Sequence, residues 1–183
     1  MPAEDFGRQL LALARNAIES RLCGAPEAAA DDPALAAPGA VFVTLTQGDA
    51  LRGCIGSVEA WRPLAEDVRE NARAAAFCDP RFAPLATDEL PRTRVEVSLL
   101  TPAEPMSVAD EADALRQLRP GVDGIVLACG GRRATFLPQV WEQLPTPAHF
   151  LGQLKEKAGL PADFWSDELR LARYRVDKWR EAA

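Results

Sequence analysis

Five side chains have the types and spacing for chemistry: Arg52 and Cys54 in "LRGCIGS", Asp79 and Arg81 in "FCDPRF", and Glu96 in "VEVSLL". Cys54 stands on a bare piece of backbone, with Gly53 before it and Gly56 after. Glycine weakens a strand by about 0.5–1 kcal/mol relative to alanine. Two of them so close imply a bulge, a special dihedral or close approach by another group. On the functional reading they open main-chain N–H groups and the thiol to a ligand, and Arg52 favours the thiolate, the nucleophilic form. Arg52 and Cys54 are two apart, so a regular strand puts both on one face. On the plain reading Cys54 is a small buried residue, as free cysteines commonly are.

The second stretch also reads two ways. Asp79 and Pro80 make a turn that ends a helix, with Arg81 bridging to a carboxylate or to carbonyls. Alternatively, Asp79 and Arg81 line one cleft with Arg52 as an anion clamp with an acid or base beside it. The candidate binding residues are therefore Arg52, Gly53, Gly56 and Arg81. The candidate catalytic residues are Cys54, with Asp79 or Glu96 in proton transfer. Glu96 lies on the polar face of its strand, where such residues are most often simply solvated. A catalytic thiol usually has a histidine partner. The one histidine, His149, precedes the core residue Phe150 on a helix and is expected to face solvent, which disfavours a Cys–His dyad.

These residues need a scaffold, and the patterning supplies one. Apolar residues from Phe6 to Leu22 recur at helical spacing. Residues 23–40, with three prolines and two glycines, read as a surface linker. "AVFVTLT", the turn "QGD" and "ALRGCIGSV" make a hairpin. Pro63 opens a helix that runs to Phe77 with a small-residue face, and Asp79 before Pro80 ends it. "TRVEVSLLT" alternates as a strand. After a short helix over 110–118, residues 125–129, Gly130-Gly131 and 133–137 form a second hairpin. Thr146, Pro147 and Gly159 punctuate another helix, and "LRLARYRVDKW" reads as a last strand. Hairpins mixed with helices give an α+β fold.

Bulk properties narrow the classes. At 183 residues and 48 % apolar content the chain can bury a real core as a single domain. The four cysteines show neither CxxC pairing nor Cys/His ligand spacing, so no zinc or iron–sulfur site is indicated. Reduced thiols point to the cytoplasm. Glu4 and Asp5 precede the first apolar residues, unlike a signal peptide, and no run of about 18 apolar residues implies a membrane span. The net charge of −6, without basic blocks, disfavours a nucleic-acid footprint. Trp141, Trp165 and Trp179 are expected to pack, not to stack bases. No GxGxxG, Walker A, HExxH or GxSxG pattern occurs, and no cofactor is expected.

The stretches "LRGCIGS" (51–57), "AAFCDPRFAPLATDELP" (75–91), "VEVSLL" (95–100), "GIVLACGGRRATFLPQVW" (124–141) and "HFLGQLKEKAGLP" (149–161) occur in that order. Together they resemble the AMMECR domain family over residues 6 to 179. The resemblance implies an α+β fold of two subdomains with mainly antiparallel sheets flanked by helices, the N- and C-terminal segments sharing the larger one. It also implies a functional site at the hexapeptide Leu51 to Gly56. As neighbours it implies a Memo-like protein and a radical SAM enzyme of an AmmeMemoRadiSam-type system. The chain lacks the CxxxCxxC motif of the radical enzyme. Three readings follow: an accessory or substrate-binding component that holds a small molecule or peptide at the cleft, an enzyme using Cys54 as nucleophile or carrier thiol, and a protein–protein scaffold.

Overall fold

Val41, Val43 and Leu45 alternate with Phe42, Thr44 and Thr46, and Val95 and Val97 with Arg94, Glu96 and Ser98, so each strand offers one wholly apolar face. In the computed structural model, which describes residues 3–182, those faces are fully buried under two helices. The chain runs through α1 (Ala3–Cys23), the short α2 (Pro33–Ala36), β1 (Val41–Gln47), β2 (Ala50–Gly56), α3 (Leu64–Phe77), a 3-10 turn (Thr87–Arg92) and β3 (Thr93–Leu100). It continues with β4 (Glu104–Pro105), α4 (Glu111–Gln117), β5 (Gly124–Cys129), β6 (Arg132–Phe136) and a second 3-10 turn (Pro138–Glu142). Then come α5 (Pro147–Lys157), β7 (Arg170–Tyr174) and β8 (Val176–Arg180). The fold is α+β with two four-stranded sheets, ordered β2-β1-β3-β8 and β4-β7-β5-β6, and every pairing between β1, β2 and β3 and between β4, β5, β6 and β7 is antiparallel.

The chain forms two compact units. One holds the chain through Leu100 together with the segment from Asp177 onward, and the other is Thr101–Val176. In the first, Leu10, Leu13, Ala17 and Ile18 of α1 and Val68, Ala72 and Ala75 of α3 cover the apolar face of the sheet. A fully buried valine or leucine contributes about 1.5–3 kcal/mol, so this layer fixes the register on which the site depends. Trp179 of β8 packs edge-on against Phe6 of α1. Residues 24–40 are tied down: Asn16 bonds Pro26 O and Ala28 N, Arg69 bonds Ala28 O, and Leu35 is buried.

In the second unit, Ile125 and Leu127 of β5 meet Phe150, Leu151 and Leu154 of α5. Thr146 caps α5 with Pro147 in its first turn, and Gly159 ends it at φ +76°. Trp141 stacks on Phe150 at 3.8 Å and donates its indole N–H to Asp123 O at 2.8 Å. The expected last strand divides at Arg175: β7 lies in the second sheet and β8 in the first. Among the described residues no helix is long and apolar enough to cross a membrane.

Candidate functional site

Cys54 lies on β2, at the edge of the first sheet, directly opposite Thr44. Ser57 N donates to Val41 O at 2.9 Å. This sets the phase of the ladder: Cys54 and Thr44 form a non-hydrogen-bonded pair, with close side chains, and the N–H and C=O of Cys54 point away from β1. Both groups are taken by the turn that follows α3. Cys54 N donates to Asp79 Oδ2 at 2.9 Å, and Arg81 Nη2 donates to Cys54 O at 3.3 Å.

That turn is built by its own sequence. Phe82 N closes on Asp79 O at 3.1 Å with Pro80 at the second position, and Asp79 Oδ1 accepts from Arg81 N at 3.1 Å. Arg81 then wraps back, Nε to Oδ1 at 3.0 Å and Nη2 to Oδ2 at 2.7 Å. The Asp79 carboxylate is 2 % exposed while the Arg81 side chain is 54 % exposed. Arg81, then the Cys54 N–H, hold the Asp79 carboxyl well below the ordinary carboxylate range, and its partner raises Arg81 in turn. Asp79 is therefore a fixed anion with four donors. The turn reading of this stretch holds: Asp79 closes the turn after α3, and Arg81 bridges to a carboxylate and to a carbonyl.

The thiol itself points to the sheet face opposite the helices, where Thr44 Oγ1 donates to Cys54 Sγ at 3.3 Å. Thr44 also faces Glu96 across β1 and β3, so Cys54, Thr44 and Glu96 form one row. Two strand spacings put the ends of the row roughly 10 Å apart at Cα. Glu96 is half-buried and makes no hydrogen bond or ion pair with the described residues.

Arg52 goes elsewhere. The register slips between Leu45 and Thr46, so that Leu45 faces Gly53 and Thr46 faces Leu51, leaving Arg52 as the extra residue of a bulge. The expected Arg52–Cys54 pairing does not form. The Arg52 guanidinium instead grips Glu89 of the first 3-10 turn through Nε at 3.0 Å and Nη2 at 2.9 Å. Ala86 N and Gln47 Nε2 add to the same carboxylate. Arg52, then Ala86 N–H, bring the Glu89 carboxyl down to about 2, and Arg52 is raised. The guanidinium that reaches Cys54 is Arg81.

The two glycines make room for the protein. A Cβ on Gly53 would sit 2.1 Å from Ala75 O of α3, and one on Gly56 would sit 2.3 Å from Cγ of Phe42. The close approach foreseen from the sequence is thus made by a helix backbone and an aromatic ring, where the sequence reading put a ligand. His149 is exposed on α5 in the other unit, and Cys78 is exposed at the end of α3.

Two contributors escaped the sequence reading. Thr44 was legible in principle, because pairing the hairpin about "QGD" sets it opposite Cys54. The second is a buried network beneath the site: Asp67 Oδ2 accepts from Val41 N and Asn71 Nδ2, and Oδ1 from Ser57 Oγ and Arg62 Nε, all at 2.7–3.0 Å. Among the described residues no group of three or more His, Cys, Asp or Glu side chains is placed to hold a metal ion.

The depressed carboxyls set an acid limb. Glu89 in the unfolded chain titrates near 4.5 and in the folded chain near 2, so the stability it supplies is complete above pH 4.5 and is lost as pH falls through about 2. Asp79 acts in the same direction. Urea midpoints of wild type should fall more steeply between pH 4.5 and 2 than those of Glu89→Gln, which lacks that titration. Parallel curves would refute the assignment.

A family model described as AMMECR1 matches residues 11–179. A protein of Methanothermobacter thermautotrophicus is 40 % identical over 184 residues, covering 98 % of this chain and 96 % of its own length. Protein SSO0193 of Saccharolobus solfataricus is 38 % identical over 184 residues, 93 % of this chain and 79 % of its own. Among solved structures, the crystal structure of uncharacterized protein PH0010 from Pyrococcus horikoshii superposes with a TM-score of 0.78 at 34 % identity. It covers 97 % of this chain and 92 % of that one.

Proposed function

The chain belongs to the AMMECR1 family, and from that premise we propose that it is a binding module that holds an anionic group at Arg81 beside the Cys54 thiol. One observation carries this reading. Arg81 is locked by a buried carboxylate, contacts the Cys54 backbone, and still leaves more than half of its side chain open. Ordering a flexible arginine costs entropy, and here the turn has already fixed it. A carboxylate or phosphate oxygen arriving there meets a charged donor within reach of the thiol. Asp79 acts as the positioning residue. Arg52 and Glu89 hold the bulge, and Gly53 and Gly56 let α3 and Phe42 close on the strand. The occupant is a small molecule or peptide presented to the partners that the resemblance implies, a Memo-like protein and a radical SAM enzyme. Four free cysteines, two of them exposed, favour the cytoplasm as the setting.

Two alkylating agents of nearly equal size test the clamp. Iodoacetamide is neutral and reports access to the thiol, whereas iodoacetate carries the charge that Arg81 would attract. Peptide mass spectrometry separates Cys54 from Cys23, Cys78 and Cys129. The iodoacetate-to-iodoacetamide rate ratio should be higher at Cys54 than at exposed Cys23 and Cys78, and Arg81→Gln should lower it at Cys54 by about tenfold, the scale of one charge-assisted contact. An unchanged ratio in that variant would end the clamp reading.

The enzyme reading has its own support in the Thr44 donor at Sγ and in Glu96 on the same row. Fast, selective iodoacetamide labelling of Cys54 in the folded protein would favour a nucleophile. Labelling of Cys54 only on unfolding would remove it.

A further inference from the structure

The first sheet ends at β8, and the wiring of that strand leaves one flank free to pair. Glu181 N donates to Val95 O at 3.0 Å and Thr101 N to Arg175 O at 2.9 Å. The two bonds are six residues apart on each strand and run in opposite directions, so β3 and β8 are antiparallel in an unbroken register. Glu96 faces Arg180, Val97 faces Trp179 and Ser98 faces Lys178. In such a ladder, residues bonded to the partner strand alternate with residues that face away from it. Trp179 and Glu181 turn their main chain to β3. Lys178 and Arg180 turn theirs outward, where β8, last in the order β2-β1-β3-β8, has no neighbouring strand among the described residues.

Side chains alternate as well. Trp179 lies on the helix side, against Phe6 of α1. Lys178 and Arg180 are exposed on the other side, and Arg180 Nη2 donates to Thr46 Oγ1 at 2.8 Å. Arg94 faces the same threonine from β3. Three cations therefore share this flank of the sheet face with one carboxylate, Glu96, in a chain whose net charge is −6. That pattern selects what can pair, because opposite charges directly across two strands stabilise the pair and like charges destabilise it. A second copy of β8, laid antiparallel over these residues, would oppose cation to cation. β3 shows what fits: an acid opposite Arg180 and a valine opposite Trp179. We infer that β8 binds an acidic peptide as a fifth strand of the first sheet. The main chain of the peptide bonds Lys178 and Arg180, and its acidic residues stand opposite those two side chains. The residue between them is apolar and lies beside Trp179, and a basic residue follows opposite Asp177. This surface is separate from the Cys54 clamp, which lies at the other edge of the sheet.

The probe is a capped peptide, acetyl-Thr-Glu-Val-Glu-Lys-Thr-amide, titrated into the whole chain at low ionic strength and followed by backbone amide shifts. Saturable shifts centred on Lys178, Trp179 and Arg180, with a Kd on the order of 1 mM, are expected. Arg180→Glu and, independently, Lys178→Glu should each weaken binding about tenfold. Each should also bind the charge-reversed peptide, acetyl-Thr-Lys-Val-Lys-Glu-Thr-amide, more tightly than wild type does. Lys178→Pro, which deletes one outward N–H and none of the bonds to β3, should weaken binding as well. Arg81→Gln, at the other edge, should leave it unchanged. Equal binding of the charge-reversed peptide by wild type, shifts reproduced by free glutamate, or full affinity in both glutamate variants would overturn the inference. Concentration-dependent shifts at these amides without peptide would also overturn it, by giving the edge to a second copy of the chain.

Discussion

Replacing Asp67 by alanine is expected to cost about 3–5 kcal/mol, the usual penalty for removing one partner of a buried charged pair. Its side chain is fully buried and bonds four donors from four segments: the first residue of β1, the segment after β2, the loop before α3, and α3 itself. Without it, Arg62 loses its carboxylate partner, and the Val41 N–H and the Ser57 hydroxyl proton lose their acceptor. A donor stranded in this way costs its desolvation as well as the bond. Asn71 keeps Val41 O and Ser57 Oγ, so the loss is not total. Urea unfolding should show a lower midpoint with an unchanged slope. Asp67→Asn, which keeps the shape and an acceptor, should lose less. A change below 1 kcal/mol in Asp67→Ala would mean that the network closes without its carboxylate.

The second large effect is at Gly53. An alanine there places a methyl carbon 2.1 Å from Ala75 O and 3.1 Å from Ala75 C, both backbone atoms of α3 that no rotamer change can move. The helix must shift away from β2 or the strand must bend. Overpacking of this kind typically costs 1–3 kcal/mol, and valine should exceed alanine. Asp79 stands two residues beyond the end of α3, so the shift also pulls its carboxylate from Cys54 N. Gly53→Ala should therefore lose two separable things: stability, read by urea midpoint, and the Arg81-dependent iodoacetate preference at Cys54. A variant that is destabilised but keeps its preference would show that the turn and the strand are anchored independently of α3.

Where local rules act alone, the sequence was legible. The "QGD" hairpin, the helix ending before Asp79-Pro80, and the Thr146-Pro147 start of α5 each follow from one capping or turn rule, and they occur where those rules put them. The pairing of Arg52 with Cys54 was not legible, because it assumed unbroken alternation. One extra residue in β2 redirects Arg52 to Glu89, 37 positions further on. Nothing near Arg52 announces that bulge except Gly53, whose meaning depends on how closely α3 packs. The division of "LRLARYRVDKW" at Arg175 was hidden for a similar reason. Both halves have strand character, and only their separate partners, β4 and β5 for one and β3 for the other, make two strands of them. Proximity was easier to read than wiring: Cys54, Asp79 and Arg81 meet, through a backbone strand whose phase only the pairing discloses, while Arg52 turns to Glu89.

An exposed sheet margin is a template on which further strands can grow, and proteins that survive at high concentration block it. The turn at Asp79 does so at Cys54 with side chains. A carboxylate occupies the outward N–H and a guanidinium the outward C=O, so the pair imitates one residue of an absent neighbouring strand. A copy of the chain approaching β2 would have to displace a buried anion before it could pair at Cys54. The two residues of the proposed clamp therefore also cap the margin of the sheet at Cys54.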